Sequence, residues 1–335
     1  MKINRQAKSV NSNNDESGSA LVITLCILVL VALLAASAVT MSQLSLMNSR
    51  TLAERTTSSY LAESALSSVI WAIMQDRSKF TNRALGELKY EELEEERFMA
   101  DGTMHQFEDE NSSVSYSIAD AVSGIDASAT SLQNSLMATC FDDKEKQQKL
   151  METVDLITDY TDTDDFVRLK GMEKVDYESV GLSPLPRNDK LQYREELLLI
   201  PGIEEFVNID EYGRLSFFNL VSPTGMPKLP ATPGLFGSSI QTIASRCNFK
   251  KDDSEKVAAA LDAWKKNKTP LTESLDPSLL GALKSRFSMN ESGFYTIIIK
   301  ASSAPGLPAR TLIASLKIDS KIPEKGLAYL EYLLY

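Results

Sequence analysis

The chain has 335 residues, 43% of them hydrophobic, and a formal charge of −11, enough for a membrane helix and roughly two domains of ordinary size. So acidic a chain lacks the clustered Lys and Arg that a nucleic-acid backbone requires, which excludes nucleic acid as a partner. Three cysteines without a C-x-x-C pair, and a single histidine, exclude zinc sites of the usual spacing.

Lys2, Arg5 and Lys8 precede a run from Ala20 to Val39 that holds no charge, Pro or Gly. About 20 helical residues rise roughly 30 Å, the thickness of a hydrocarbon core. Neither Gly nor Pro occurs between Ser19 and Leu85, and Leu61, Ala65, Val69 and Ile73 recur every four residues, with Leu66, Ile70 and Met74 beside them. This spacing predicts one helix that turns amphipathic and ends near Arg77, on the order of 85–90 Å in total. The apolar run is too long for a signal-peptide core, and the Ala36-Ser37-Ala38 tripeptide lies inside it. Two readings stay open: an ordinary single-pass anchor, or a short basic leader cut after Gly18 that leaves the whole helix on the mature, exported protein. The leader carries three basic and two acidic residues, so its removal takes the charge to −12.

Residues 78–111, with the run Glu91-Glu92-Leu93-Glu94-Glu95-Glu96-Arg97 and the lone His105, read as a charged connection, either solvated helix or mobile surface. Val114, Tyr116 and Ile118 alternate with small polar residues as a half-buried strand, stopped by Asp120–Gly124. Helices are predicted at 129–139 and 143–159. A strand pair follows at 205–210 and 214–218, then a Pro/Gly/Ser-rich loop over 221–238 and helices at 253–266 and 276–287. All 12 prolines lie from Pro184 to Pro323. The runs 294–299 and 311–318 flank Pro305-Gly306-Leu307-Pro308 and read as strands by their β-branched content, with a last strand in 327–335. One strand before a helical block and several after it predict an α+β fold, a sheet with helices inserted into its connections.

Cys26 sits in the apolar run, whereas Cys140 and Cys247 lie in the exported part, where disulfides persist. Spacing alone leaves their pairing open. The carboxylates at 155, 159, 162, 164, 165, 173 and 176 admit three readings: a solvated face, an oxygen-rich calcium site, or paired catalytic acids. Asp162-Thr163-Asp164 has a loop-ligand spacing, but the Gly and Glu of an EF-hand are missing in register. Only Trp71 and Trp264 are available to line a sugar cleft, no nucleophile motif accompanies His105, and no Gly-rich phosphate cradle is present. These observations argue against an enzyme.

The succession Asp155-x-x-x-Asp159-Tyr160-x-Asp162-x-Asp164-Asp165, Gly171-x-Glu173, Tyr177, Pro186-Arg187-Asn188 and Glu196-Leu197-x-x-x-x-Gly202 resembles the K-type minor pseudopilins of bacterial type II secretion. Tyr160 stands where that family has a tryptophan. The leader and helix, with Tyr60-Leu61-Ala62-Glu63, resemble a prepilin N-terminus.

The resemblance implies a pilin-like antiparallel sheet carrying a large inserted helical domain behind a membrane-spanning stem. It divides the chain into a leader (1–18), a transmembrane and stem helix (19–77), a linker with the first strand (78–128), an insertion in two parts (129–205 and 206–290) and C-terminal strands (291–335). It further implies cleavage by a prepilin peptidase at Gly18 and N-methylation of Ser19. Calcium would be held by Asp162, Asp164, Asp165, Glu173 and Asp176. The apolar Ile23 stands where other pilins carry a glutamate, as in a subunit at the fibre tip. The implied partners are the I- and J-type minor pseudopilins and inner-membrane lipid, with the large domain in the periplasm. A minor pilin of a type IV pilus, or a tethered calcium-binding domain with no assembly role, are the alternatives.

Overall fold

The computed structural model describes residues 13–88, 97–109, 112–140, 143–182, 186–222, 226–304, 307–319 and 327–335. The basic leader residues, the acidic run 91–96, Pro184 and the Pro305-Gly306 pair fall outside the described residues. The chain divides after Thr57 into two units. Helix α1 (Asn13–Lys79) begins in the first and ends in the second.

In the first unit, α1 is long and apolar enough to cross a membrane by length and composition. Its large apolar side chains, Leu21 to Leu34 among them, are more than half exposed. The few polar side chains of this stretch spend their donors locally. Thr24 donates to the Leu21 carbonyl and Ser37 to that of Leu34, both at 2.8 Å, and Thr40 donates to Ser37 at 2.9 Å. A spanning helix must satisfy its own polar groups in this way, because lipid offers no partner.

The second unit is an α+β domain built on a five-stranded antiparallel sheet. Its strands are β1 (Asp101–Asp109), β2 (Ser112–Asp120), β3 (Phe294–Ser302), β4 (Arg310–Lys317) and β5 (Tyr329–Leu334), in that spatial order. Alternation places Val114, Tyr116 and Ile118 on one face, opposite Ala301, Ile299 and Ile297. That face meets the last turns of α1, whose buried stripe is Ala62, Leu66, Val69, Ile70, Ile73 and Met74. Leu61 and Ala65, expected in the centre of the stripe, lie at its margin.

Everything between β2 and β3 is helical or irregular and forms two further cores. One gathers α2 (Ala129–Leu136), α3 (Lys144–Thr161) and α4 (Lys174–Ser179) with the apolar side chains of 191–218. The other gathers α5 (Ile240–Cys247), α6 (Lys251–Asn267), α7 (Leu271–Ser274) and α8 (Pro277–Arg286) around the fully buried Trp264. The Trp264 indole N–H donates to Asp101 Oδ2 at 3.0 Å, tying this core to β1.

Several expectations are corrected. The connection 78–111 contains β1, an edge strand on which His105 stacks against Tyr116 at 4.9 Å. The strand pair at 205–218 does not form. Asp210 instead accepts the backbone N–H of Tyr212 and Arg214, at 3.0 and 2.9 Å, and closes a turn with 3-10 geometry before it. Helix α5 follows the loop at 221–238 without having been anticipated. Cys140 and Cys247 form no disulfide with each other: Cys140 is buried in the first helical core, whereas Cys247 packs on the second, with its sulfur toward the Ala282 carbonyl.

Candidate functional site

The acidic succession folds into one place. Asp143 caps the start of α3, and Asp155 and Asp159 follow one another along its last turns before Asp162 ends it. A loop then runs to Glu173 at the start of α4. Asn188, with φ of 50°, returns to this end of the helix by donating its N–H to the Tyr160 carbonyl at 3.1 Å. Its side-chain amide donates to the Asp164 carbonyl and to Asp165 Oδ1, both at 3.3 Å. The rest of the Pro-Arg-Asn motif is structural. Arg187 pairs with Glu196, whose other oxygen accepts the N–H groups of Gln192 and Tyr193.

Three carboxylates here are short of donors. Asp159 is fully buried, and its Oδ2 accepts the Arg168 N–H at 3.0 Å while Oδ1 has no hydrogen bond. Glu173 is 3% exposed; it shares a capping box with Asp176 and lies against the Asn188 amide, but neither of its oxygens has a well-aligned donor. Asp162 Oδ1 and Asn188 Oδ1 are buried without a partner as well. Burial pushes the Asp159, Asp162 and Glu173 carboxyls above their ordinary range, and their negative neighbours add to it. Arg168 opposes this: its Nε lies 3.3 Å from Asp159 Oδ1 and its Nη2 3.9 Å from Asp162 Oδ2. Beneath the cluster, the Tyr177 hydroxyl is buried without a partner, and desolvation pushes it up to about 12.

Buried acceptors in this number, with one half-exposed Arg against them, form a donor-poor, oxygen-rich pocket. The chemistry suits a hard divalent cation, which takes six to eight oxygens from carboxylates, amides and carbonyls. The residues that could serve a cation here are Asp159, Asp162, Glu173 and the Asn188 amide oxygen, whose oxygens are buried without a donor, with the exposed Asp164 and Asp165 on the adjoining loop. Among the described residues no three such side chains are drawn in to coordination geometry, and Arg168 lies against Asp159 and Asp162 as the counter-charge.

The sequence-predicted ligands thus divide. Asp162 and Glu173 come together, and Asp164 and Asp165 lie on the adjoining loop. Asp176 turns its carboxylate onto the Glu173 backbone N–H at 3.0 Å and caps α4. Asp159, outside the ligand set that the resemblance implies, is the most buried of all. The signal was there: Asp155, Asp159 and Asp162 fall on one helical face, and Gly171 is the residue against which Asp159 packs. Of the other positions, Gly18 and Ser19 lie within α1, and Ile23 is 58% exposed on its apolar surface.

No family model and no curated protein matches the chain. Among solved structures, it is similar to a chain of the GspK-GspI-GspJ complex from the type 2 secretion system of enterotoxigenic Escherichia coli, with a TM-score of 0.51 and 12% identity over 86% of this chain and 99% of that one. At that identity the likeness is one of fold: this chain is built on the α+β, pilin-like plan of a subunit of that complex.

Proposed function

We propose that the protein is a minor pseudopilin of the K type, a structural and non-enzymatic subunit that assembles with I- and J-type partners at the tip of a type II secretion pseudopilus. The observation that carries this reading is the fold likeness, which extends over 99% of a chain solved within a three-component pseudopilin complex. The exposed apolar helix adds to it, since such a surface needs lipid or sister helices around it. The tip position rests on Ile23. A carboxylate in lipid is costly and persists only with a partner, such as the N-terminal amine of the next subunit. An apolar side chain at this position removes that pairing, which suits a subunit with nothing above it. The leader is cut after Gly18 by a prepilin peptidase and Ser19 is N-methylated. The stem stays in the inner membrane, and the large domain is periplasmic.

Within this reading the pocket at the end of α3 holds calcium through Asp159, Asp162 and Glu173, helped by Asn188, Asp164 and Asp165. The cation would supply positive charge to oxygens that the protein leaves without donors, and Arg168, whose side chain is 49% exposed, is free to swing to solvent. The role is cohesion: α3, the loop to α4 and the 186–188 segment would be pinned at one point.

N-terminal sequencing of the protein from membranes is expected to begin at Ser19, and affinity purification of the full chain is expected to bring down the I and J partners. A mature chain lacking residues 20–39, or one that binds neither partner, overturns the proposal.

A further inference from the structure

A second polar cavity, of about 330 Å³, opens where α2, α5 and α8 meet, far larger than the roughly 30 Å³ of one water. Arg246 at the end of α5 and Arg286 at the end of α8 line it, with side-chain donors from Ser131, Asn134 and Asn248. No carboxylate lines it, although the chain carries 46 acidic residues against 35 basic ones.

Arg246 is poorly provided for. Its Nε is buried without a partner, Nη2 reaches the Gly124 carbonyl only at 3.5 Å, and the guanidinium lies 6.0 Å from the Phe287 ring centre. Burial pushes it below its ordinary value, and the like charge of Arg286 adds to this. Asp126 acts on it from a distance, but no ion pair to Arg246 or Arg286 forms among the described residues. A half-buried cation with one marginal hydrogen bond is costly unless something negative arrives. Two guanidiniums converging with neutral donors offer bonds in more directions than a flat carboxylate has oxygens, and their charge matches a dianion.

We propose that this cavity binds a phosphate-type oxyanion, free or as a phosphomonoester, between Arg246 and Arg286. The site is separate from the acidic pocket and does not depend on the assembly reading. Its test uses the full chain in non-ionic detergent with a calcium chelator present. Melting temperature and calorimetric titration are followed with sodium phosphate, glycerol phosphate and sodium acetate, each against sodium chloride of equal ionic strength.

A saturable rise with phosphate and none with acetate is expected. An equal response to glycerol phosphate would assign the site to an ester head group, and a response to phosphate alone to the free ion. Arg286→Gln, on an exposed side chain, is expected to weaken binding at least tenfold, and Arg246→Gln to abolish it. Should Arg246→Gln not fold, Arg286→Gln decides. No saturable shift, equal binding by Arg286→Gln, or acetate matching phosphate overturns the proposal.

Discussion

Gly171 shows how closely the acidic pocket is drawn. A β-carbon there would overlap Asp159 Oδ2, so a methyl group has no room unless the buried carboxylate moves. Gly171→Ala is expected to cost about 1–3 kcal/mol by denaturant unfolding, the usual range for overpacking. Asp159→Asn should act in two directions. It removes one of several mutually repelling carboxylates, so the variant gains stability in chelator, and it loses the calcium-dependent increment in melting temperature. A variant that melts with the same calcium response as the parent would exclude Asp159 as a ligand. Elsewhere, Asp120 at the end of β2 accepts the Ser292 N–H and hydroxyl and the Val122 N–H at 2.6–2.9 Å. Burial nevertheless pushes its carboxyl up to about 6, from 3.8. Between those two values the folded state keeps a proton that the unfolded chain has released, so this contribution to stability is largest near pH 4 and is lost as pH rises through 6. The difference is about 3 kcal/mol at most. An Asp120 carboxyl resonance titrating near pH 4 would contradict it.

Among the elements, the end of α1 is held by charge as well as by its apolar stripe. Asp76 accepts from Arg83 and from Arg97, the latter at 2.9 Å, and Glu291 accepts from Arg83 and from the Tyr295 hydroxyl at 2.6 Å. All four charged side chains are buried. Asp76→Ala leaves two guanidiniums without their shared partner, and a loss of about 3–5 kcal/mol is expected in thermal or chemical unfolding. A loss below 1 kcal/mol would mean that the arginines repair themselves with other acceptors. None of this network was legible from the sequence, because its members lie as far apart as positions 76 and 291. The edge strand β1 was missed for a related reason. Its residues alternate weakly, Met104 and Phe107 stay exposed, and its pairing with β2 shifts register between Asp101 and Met104. The false hairpin at 205–218 had the alternation of strands, yet Asp210 offered the backbone a local acceptor that closed a turn first.

At the scale of the whole molecule, a bound cation and a membrane anchor each have a bulk readout. If calcium binds only the folded chain, its melting temperature rises with concentration, by the equivalent of about 2.7 kcal/mol at a hundredfold excess over the dissociation constant. Extraction from membranes is expected to need detergent, since the large apolar side chains from Leu21 to Leu34 are more than half exposed among the described residues. Release by high salt or alkaline carbonate would contradict the anchor.

Local patterning alone determined the long helix, the strands β2 to β5, the helices α3, α6 and α8, and the gathering of acids between 155 and 176. Each of these depends on neighbours within a few residues, through periodicity, propensity and turn chemistry. Only the tertiary structure decided that Asp159 sits inside the pocket while Asp176 serves as a cap, that Cys140 and Cys247 stay apart in different cores, and that Arg246 and Arg286 face one cavity. Burial and the choice of partner across distant segments depend on how the chain packs, and no local window carries that information.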